Sequence, residues 1–345
     1  MKSDVLRPLR RAILAVAALA VAGAAFAQFS EDPFFERPVL MSHGYGLEVM
    51  AGRLFAIEEL DPVPAEFVGE VEKLSWRDLP RFEGTLTERD AELAADFRAA
   101  IEALIIAADA GEPMAEHVAT VRDLHARAYE VVIGEFADRP SYLAGVSADV
   151  LIMNDGVAEA YEDAAEGDLW EYPNGWGATQ RIKEIWAQLE PLATPEQAAD
   201  YQEMIDFIEE VVYPRATPPE GGIRGDPEEA EGATQRMIGI LEVVVDVDLS
   251  PGRNLGNLND SFLATTEAAC EAYEAGNDML GVEGIYAVRD PYRKHIRRFL
   301  ELIAPHLYEG LGDVTDALIS SDPPADKAAA CWEMHEMLTE ARTLY

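Results

Sequence analysis

The chain has 345 residues, with 65 Asp and Glu against 27 Lys and Arg, which sets a net charge of −38. Proteins that bind nucleic acid neutralise phosphates with Lys and Arg, so this composition excludes nucleic acid as a partner and disfavours an anionic membrane surface. The two cysteines are too few for a cysteine-based zinc cluster.

Lys2, Arg7, Arg10 and Arg11 precede an apolar run from Ala12 to Ala22, and Ala25-Phe26-Ala27 follows. That order is a signal peptide over 1–27, with the mature chain starting at Gln28. The apolar run falls short of the roughly 20 residues a spanning helix needs. The sequence therefore predicts a periplasmic or secreted protein with no membrane anchor after cleavage. Cleavage removes four basic residues and one acidic residue, leaving −41 over 318 residues. Two causes fit such acidity: solubility in a salty habitat, or attraction of cations by an acidic field. Lysine is scarce in the mature chain (Lys73, Lys183, Lys294 and Lys327), which suits the first. In an oxidising compartment Cys270 and Cys331 read as one disulfide.

Residues 28–86 carry several prolines and little periodicity, and are expected to wrap the first bundle irregularly. From Thr87, the apolar residues Phe97, Ile101, Leu104, Ile105 and Ala108 share a helical face, with Thr87 and Asp90 as a capping box and Gly111 as the stop. A second helix after Pro113 turns Val118, Val121, Leu124 and Ala128 inward. Further helices are expected at 147–166 and 178–190. Thr194-Pro195-Glu196-Gln197 joins an N-cap, Pro at N1 and Gln at N3, and starts a helix with the stripe Tyr201, Met204, Ile205, Ile208 and Val212 that Pro214 ends. The Pro/Gly/Glu-rich stretch 214–231 reads as a mobile surface loop. Helices at 232–245, 260–275, 291–304 and 323–343 follow. The prediction is all-α: two antiparallel helical bundles, the first in 28–145 with the N-terminal region, the second in 146–345. The pentapeptide Gly-Ala-Thr-Gln-Arg occurs at 177–181 and again at 232–236, both expected helix starts. It marks either a duplicated unit or shared helix-start chemistry.

His306-Leu-Tyr-Glu309 is an H-x-x-E whose imidazole and carboxylate share a helical face, suited to one metal ion or to plain surface packing. His117 and His125, with Glu130 beside them, lie two turns apart, about 12 Å, so one ion would need ligands from another helix as well. The alternative for both histidines is satisfied packing at the bundle margin. His335 sits on the stripe of Ala328, Cys331, Trp332 and Leu338. Asp246, Asp248 and Ser250 resemble the start of a calcium loop, but the glycine comes one position late and Asn257 stands where Glu is needed. Arg289, Arg293, Lys294, Arg297 and Arg298 form the one basic cluster. Asp290-Pro291 is read as the start of that helix, and the cluster serves either ion pairing or an anionic ligand. Trp170, Tyr172 and Trp176 flank an expected turn, Pro173-Asn174-Gly175, for stacking on a ligand or anchoring the loop. No nucleophile elbow, P-loop, dinucleotide fingerprint or H-E-x-x-H is present, and carboxylates are too numerous to single out an acid–base pair, so catalysis is disfavoured.

An exported helical chain with an H-x-x-E and segments such as Glu196–Val211 resembles imelysin-type and iron-permease-associated periplasmic proteins. The resemblance implies paired helical bundles, a role with iron or another divalent cation, and a membrane permease or other envelope protein as partner. Its motif is G-x-H-x-x-E, of which His306 and Glu309 match, Ala304 replaces the glycine, and the position near the C-terminus departs from the family. The competing reading is a non-catalytic interaction or scaffold protein of the envelope.

One consequence follows from charge alone. Self-repulsion among some 41 excess negative charges opposes the compact state, and salt screens it to about 10 Å at 0.1 M. The melting temperature is therefore expected to rise between low salt and 1 M sodium chloride. A flat or falling thermal melt across that range would count against the repulsion argument.

Overall fold

The structure is a computed structural model and describes residues 37–345, apart from 154, 224, 250–254, 321, 345 and the side chain of Lys294. The signal-peptide reading of 1–27 lies outside the described residues. The described chain is helical, with no β-strand, as the periodicity predicts.

The first element is where sequence and structure part most clearly. Residues 38–59 form no wrap. They are a single helix, α1 (Pro38–Glu59), buried along nearly its whole length. Met41, Leu47, Val49 and Met50 point in different directions around it, and each is buried. A helix covered on all sides needs no apolar stripe, which is why no periodicity announces it. Its glycines let neighbours close in: a Cβ at Gly44 would meet Tyr142, and one at Gly46 would meet Arg81. Gly52 faces Gly177 on α8 (Glu171–Leu189), backbone against backbone.

Around α1 stand α2 (Val68–Lys73), α3 (Glu83–Arg89), the hairpin α4 (Ala91–Asp109) and α5 (Ala115–Val132), then α6 (Pro140–Ile152), α7 (Val157–Glu166) and α8. The expected stripe residues of α4 and α5 are buried except Ile105, which is partly covered, and Gly111 ends α4 with φ +66°. The capping box at Thr87 does not form. Asp90 is itself the N-cap, accepting from the Leu93 amide 3.0 Å away, and Thr87 belongs to α3. The helix expected at 147–166 is broken at 153–156, where Asp155 takes a left-handed φ of 63°. Thr194 and Gln197 cap α9 (Pro195–Phe207) reciprocally, as expected. The irregular stretch before α10 (Pro227–Val245) ends at Asp226, an N-cap, and Ala216 and Ile223 pack on the core. The repeated pentapeptides lie inside α8 and α10 rather than at their starts.

A second core is built by α11 (Leu255–Glu274), α12 (Asp278–Pro291), α13 (Arg297–Ile303), α14 (Pro305–Leu318) and α15 (Lys327–Arg342). Cys270 on α11 and Cys331 on α15 form the expected buried disulfide, with Cα atoms 5.3 Å apart. The first core runs from Met41 to Leu249 and the second from Leu258 to Ala341, so the partition falls near residue 250 rather than at 145. Asp246 caps α10 in a left-handed conformation; part of the calcium-loop candidate, 250–254, lies outside the described residues. Asp290-Pro291 ends α12 and leads without a break through a π-turn (Tyr292–Ile296) into α13, so the basic residues lie within one continuous helical run rather than at its start. The helix α12 also packs on α1 and α3, tying the second core to the first.

The two pentapeptides supply a matched pair of tests. A Cβ at Gly177 would strike the Gly52 carbonyl, whereas at Gly232 it meets nothing within 4 Å. Gly177→Ala is expected to lower stability by about 2 kcal/mol through overpacking, and Gly232→Ala to raise it by up to about 1 kcal/mol through helix propensity. Urea unfolding of both variants checks the opposite signs.

Candidate functional site

Two arrangements of charge stand out, one buried and one open. The buried one surrounds Arg53 of α1. Its guanidinium donates to Asp78 (3.1 Å) and Glu70 (3.2 Å) and lies 3.6 Å from Asp155. Lys73, one helical turn on from Glu70, places its ammonium 2.7 Å from Glu70, 3.6 Å from Asp155 and in contact with Glu171. Arg77 reaches Asp155 at 2.8 Å. Asn174 donates to Glu70 and, at 3.0 Å, to Glu171.

Glu70, Asp155 and Glu171 are, among the described residues, the one group of acidic, His or Cys side chains close enough to share an ion, with ligand oxygens within 4.8 Å of one another. The Lys73 ammonium already touches or approaches all three. Three cations face four carboxylates here, counting Asp78, so one negative charge is in excess. Burial opposes ionisation of Asp155, but Arg77, Arg53 and Lys73 outweigh it and hold its carboxyl below the usual range. Glu171 takes the surplus: burial first, then Asp155 and Glu70, push it up to about 7.

Two further buried contacts join α1 to its neighbours. His43 meets Glu283 of α12, whose carboxylate also accepts from the Thr85 amide at 2.9 Å. Glu48 pairs with Arg181 of α8.

The open arrangement is a cleft of about 860 Å³ between the two cores. One wall carries Glu159, Glu162 and Glu166 of α7 with Glu228 and Glu231 of α10. Facing it are Arg293, Arg297 and Arg298, with Glu301 one turn on from the last two and adding a carboxylate to their side, and Tyr45, Met153 and Asp290 also contribute to the lining. Glu159 and Glu228 sit in first helical turns, where the macrodipole favours them; Glu162, Glu166 and Glu231 have no such reason to be there. Arg293 is tied to Asp316 at 2.8 Å, and Arg297 lies against the Tyr308 ring and donates to its hydroxyl at 2.7 Å. Among the described residues no carboxylate comes within ion-pairing range of Arg297 or Arg298, nor any cation within range of the five glutamates. Burial and then Asp163 and Glu162 raise the Glu159 carboxyl, with Arg297 and Arg293 pulling it back, so the walls feel each other without touching.

The residues expected from sequence to hold a metal are dispersed. His306 on α14 is exposed and pairs with Glu340 at 3.0 Å, while Glu309 is exposed beside it. His125 is buried, bonds the Leu47 carbonyl at 2.8 Å, and is kept neutral by burial. His117 is half-buried and Glu130 exposed, and neither joins His125 in a group. His335 stacks edge-on against Trp332. The expected turn 173–175 is the opening of α8: Tyr172 is buried and donates to the Val212 carbonyl, Trp170 and Trp176 are partly covered, and Asn174 serves the ionic cluster. Of the basic cluster, Arg289 and Arg293 follow the ion-pairing reading.

Sequence reasoning passed over the buried cluster and found only the basic side of the cleft, through Arg293, Arg297 and Arg298. A lysine in a lysine-poor chain and a helix broken at Asn154-Asp155-Gly156 were the available signals for the buried cluster. The cleft's acids were lost among the chain's 65 acidic residues. No family model, curated protein or solved structure matches this chain.

The Glu171 carboxyl sets a pH dependence. Its pKa is about 7 in the fold against an ordinary 4.5, so the native state holds the proton more tightly. The stability this contributes is present at low pH and is lost as pH rises through 7. The stability of the wild type minus that of Glu171→Gln is expected to fall by on the order of 2 kcal/mol between pH 5 and pH 8. Denaturant unfolding at both pH values measures it; an unchanged difference contradicts the assignment.

Proposed function

We propose that this chain is an exported binding protein, without catalysis, that holds a solute bearing both positive and negative groups in the cleft between α7, α10 and the α12–α13 segment. The observation that carries the reading is the pair of walls of opposite charge that do not pair with each other. In a chain of net charge −38, Arg297 and Arg298 would gain from any carboxylate in reach. They instead face a gap roomy enough for a small ligand. Export rests on the sequence of 1–27, and the buried disulfide suits an oxidising compartment.

A second reading is cation handling, in keeping with the resemblance to imelysin-type proteins, and one observation favours it: the Glu70, Asp155 and Glu171 oxygens. An ion there must displace the Lys73 ammonium. Oxygen ligands alone suit magnesium, calcium or manganese, with iron behind them.

Thermal shift and calorimetry with the purified mature protein separate the readings. Ligands with both charges are expected to raise the melting temperature, by the equivalent of about 2.7 kcal/mol at a hundred times Kd. Glu162→Gln and Arg298→Ala are each expected to weaken that binding about tenfold. Ligand stabilisation that persists unchanged in both variants removes the cleft from consideration. Stoichiometric metal in the wild type that disappears in Glu171→Gln establishes the second reading instead.

A further inference from the structure

We infer that the cleft's ligand is a short basic peptide with a free C-terminal carboxylate, lying along α7 with that carboxylate on Arg297 and Arg298. The inference rests on the cleft being the binding site. A volume of about 860 Å³ lies toward the upper end of the 300–1,000 Å³ common for ligand sites and holds several residues rather than a single amino acid. Glu159, Glu162 and Glu166 follow i, i+3, i+7 on one face of α7. At 1.5 Å per residue they span about 10 Å, the length of three extended residues at about 3.4 Å each. Alternate side chains of an extended peptide share a face about 7 Å apart, so cationic ones can reach carboxylates along α7, and Glu228 and Glu231 of α10 add two more.

The opposite wall sets the polarity. A pure polycation would be repelled by Arg293, Arg297 and Arg298, and a nucleotide or polyanion by five glutamates. A guanidinium fork matches a carboxylate in a bidentate manner. Tyr308 holds Arg297 in place through its ring and its hydroxyl, so that part of the ordering cost is met before binding. Gln235 and Tyr308 offer polar atoms to the peptide backbone.

The test uses the sign of a difference. Tetralysine and its C-terminal amide are titrated into the full mature protein by calorimetry at 0.15 M salt, with spermine and citrate as probes that each carry charge of one sign only. The general acidic field binds the amide more tightly, because the amide carries more positive charge. The cleft as assigned binds the free acid more tightly, by about tenfold. The cleft variant Arg298→Ala abolishes that preference and, by removing a repelling charge, tightens amide binding. Replacing Glu159, Glu162 and Glu166 by Gln weakens both peptides. An amide that binds as well as the acid or better overturns the peptide assignment. If citrate or spermine binds and loses affinity in the same variants, the cleft remains a binding site and only its ligand class is wrong. If no probe responds to those variants, both conclusions fall.

Discussion

A charge buried in this fold must meet a partner in the interior, and α1 carries three such charged or ionisable groups, at His43, Glu48 and Arg53. Each is met from a different element: His43 from α12, Glu48 from α8, and Arg53 from α2, the π-turn after it and the break after α6. Breaking one side of a buried pair costs about 3–5 kcal/mol, a large part of a domain's stability. The pairs therefore restrict how α1 can be rotated or shifted against its neighbours. Apolar packing alone does so less, since α1 is apolar on every side and would tolerate several orientations. The glycines at 44, 46 and 52 then let Tyr142, Arg81 and α8 approach closely.

The same requirement explains the strained backbone at Asp155. A non-glycine residue at φ 63° costs of order 1 kcal/mol or more. That cost is offset because this conformation aims one carboxylate at Arg53, Lys73 and Arg77 together. Breaking the helix there also frees α7 to start at Val157 and to present Glu159, Glu162 and Glu166 along the cleft. The buried cluster and the acidic wall are thus consequences of one interruption in the chain.

Helices with one wet face were legible in the sequence. The stripes of α4, α5 and α9, the Thr194 cap and the Cys270–Cys331 bridge all follow from local periodicity or compartment. Helices without such a face were not. The buried α1 shows no contrast between a wet and a dry face, since His43, Glu48 and Arg53 are buried too, and α12, buried at Glu283 and Asp290 as well as at Ile285 and Val288, hides its core position behind charged residues. The site was hidden for a related reason. His306 and Glu309 stand out because histidine is rare, but rarity says nothing about convergence, and Glu70, Asp155 and Glu171 meet only because α2, the α6–α7 break and α8 converge on Arg53.

Basic residues are informative in such a chain because they are few. Arg53, Lys73, Arg77, Arg81 and Arg181 have carboxylate partners inside the fold. Others, such as Arg122, Lys183 and Arg342, bridge neighbouring segments nearer the surface. Arg127 and Arg215 have no ion-pair partner among the described residues and stand on open surface, where water solvates them. Arg297 and Arg298 differ from both groups. They are exposed as well, but they line a concave space opposite five carboxylates. If pairing were the only purpose, a small closure of the cleft would form the missing ion pairs. The anchoring of Arg293 to Asp316 and of Arg297 to Tyr308 holds the basic wall back from doing so. That unpaired gap is the feature on which the proposed binding reading rests.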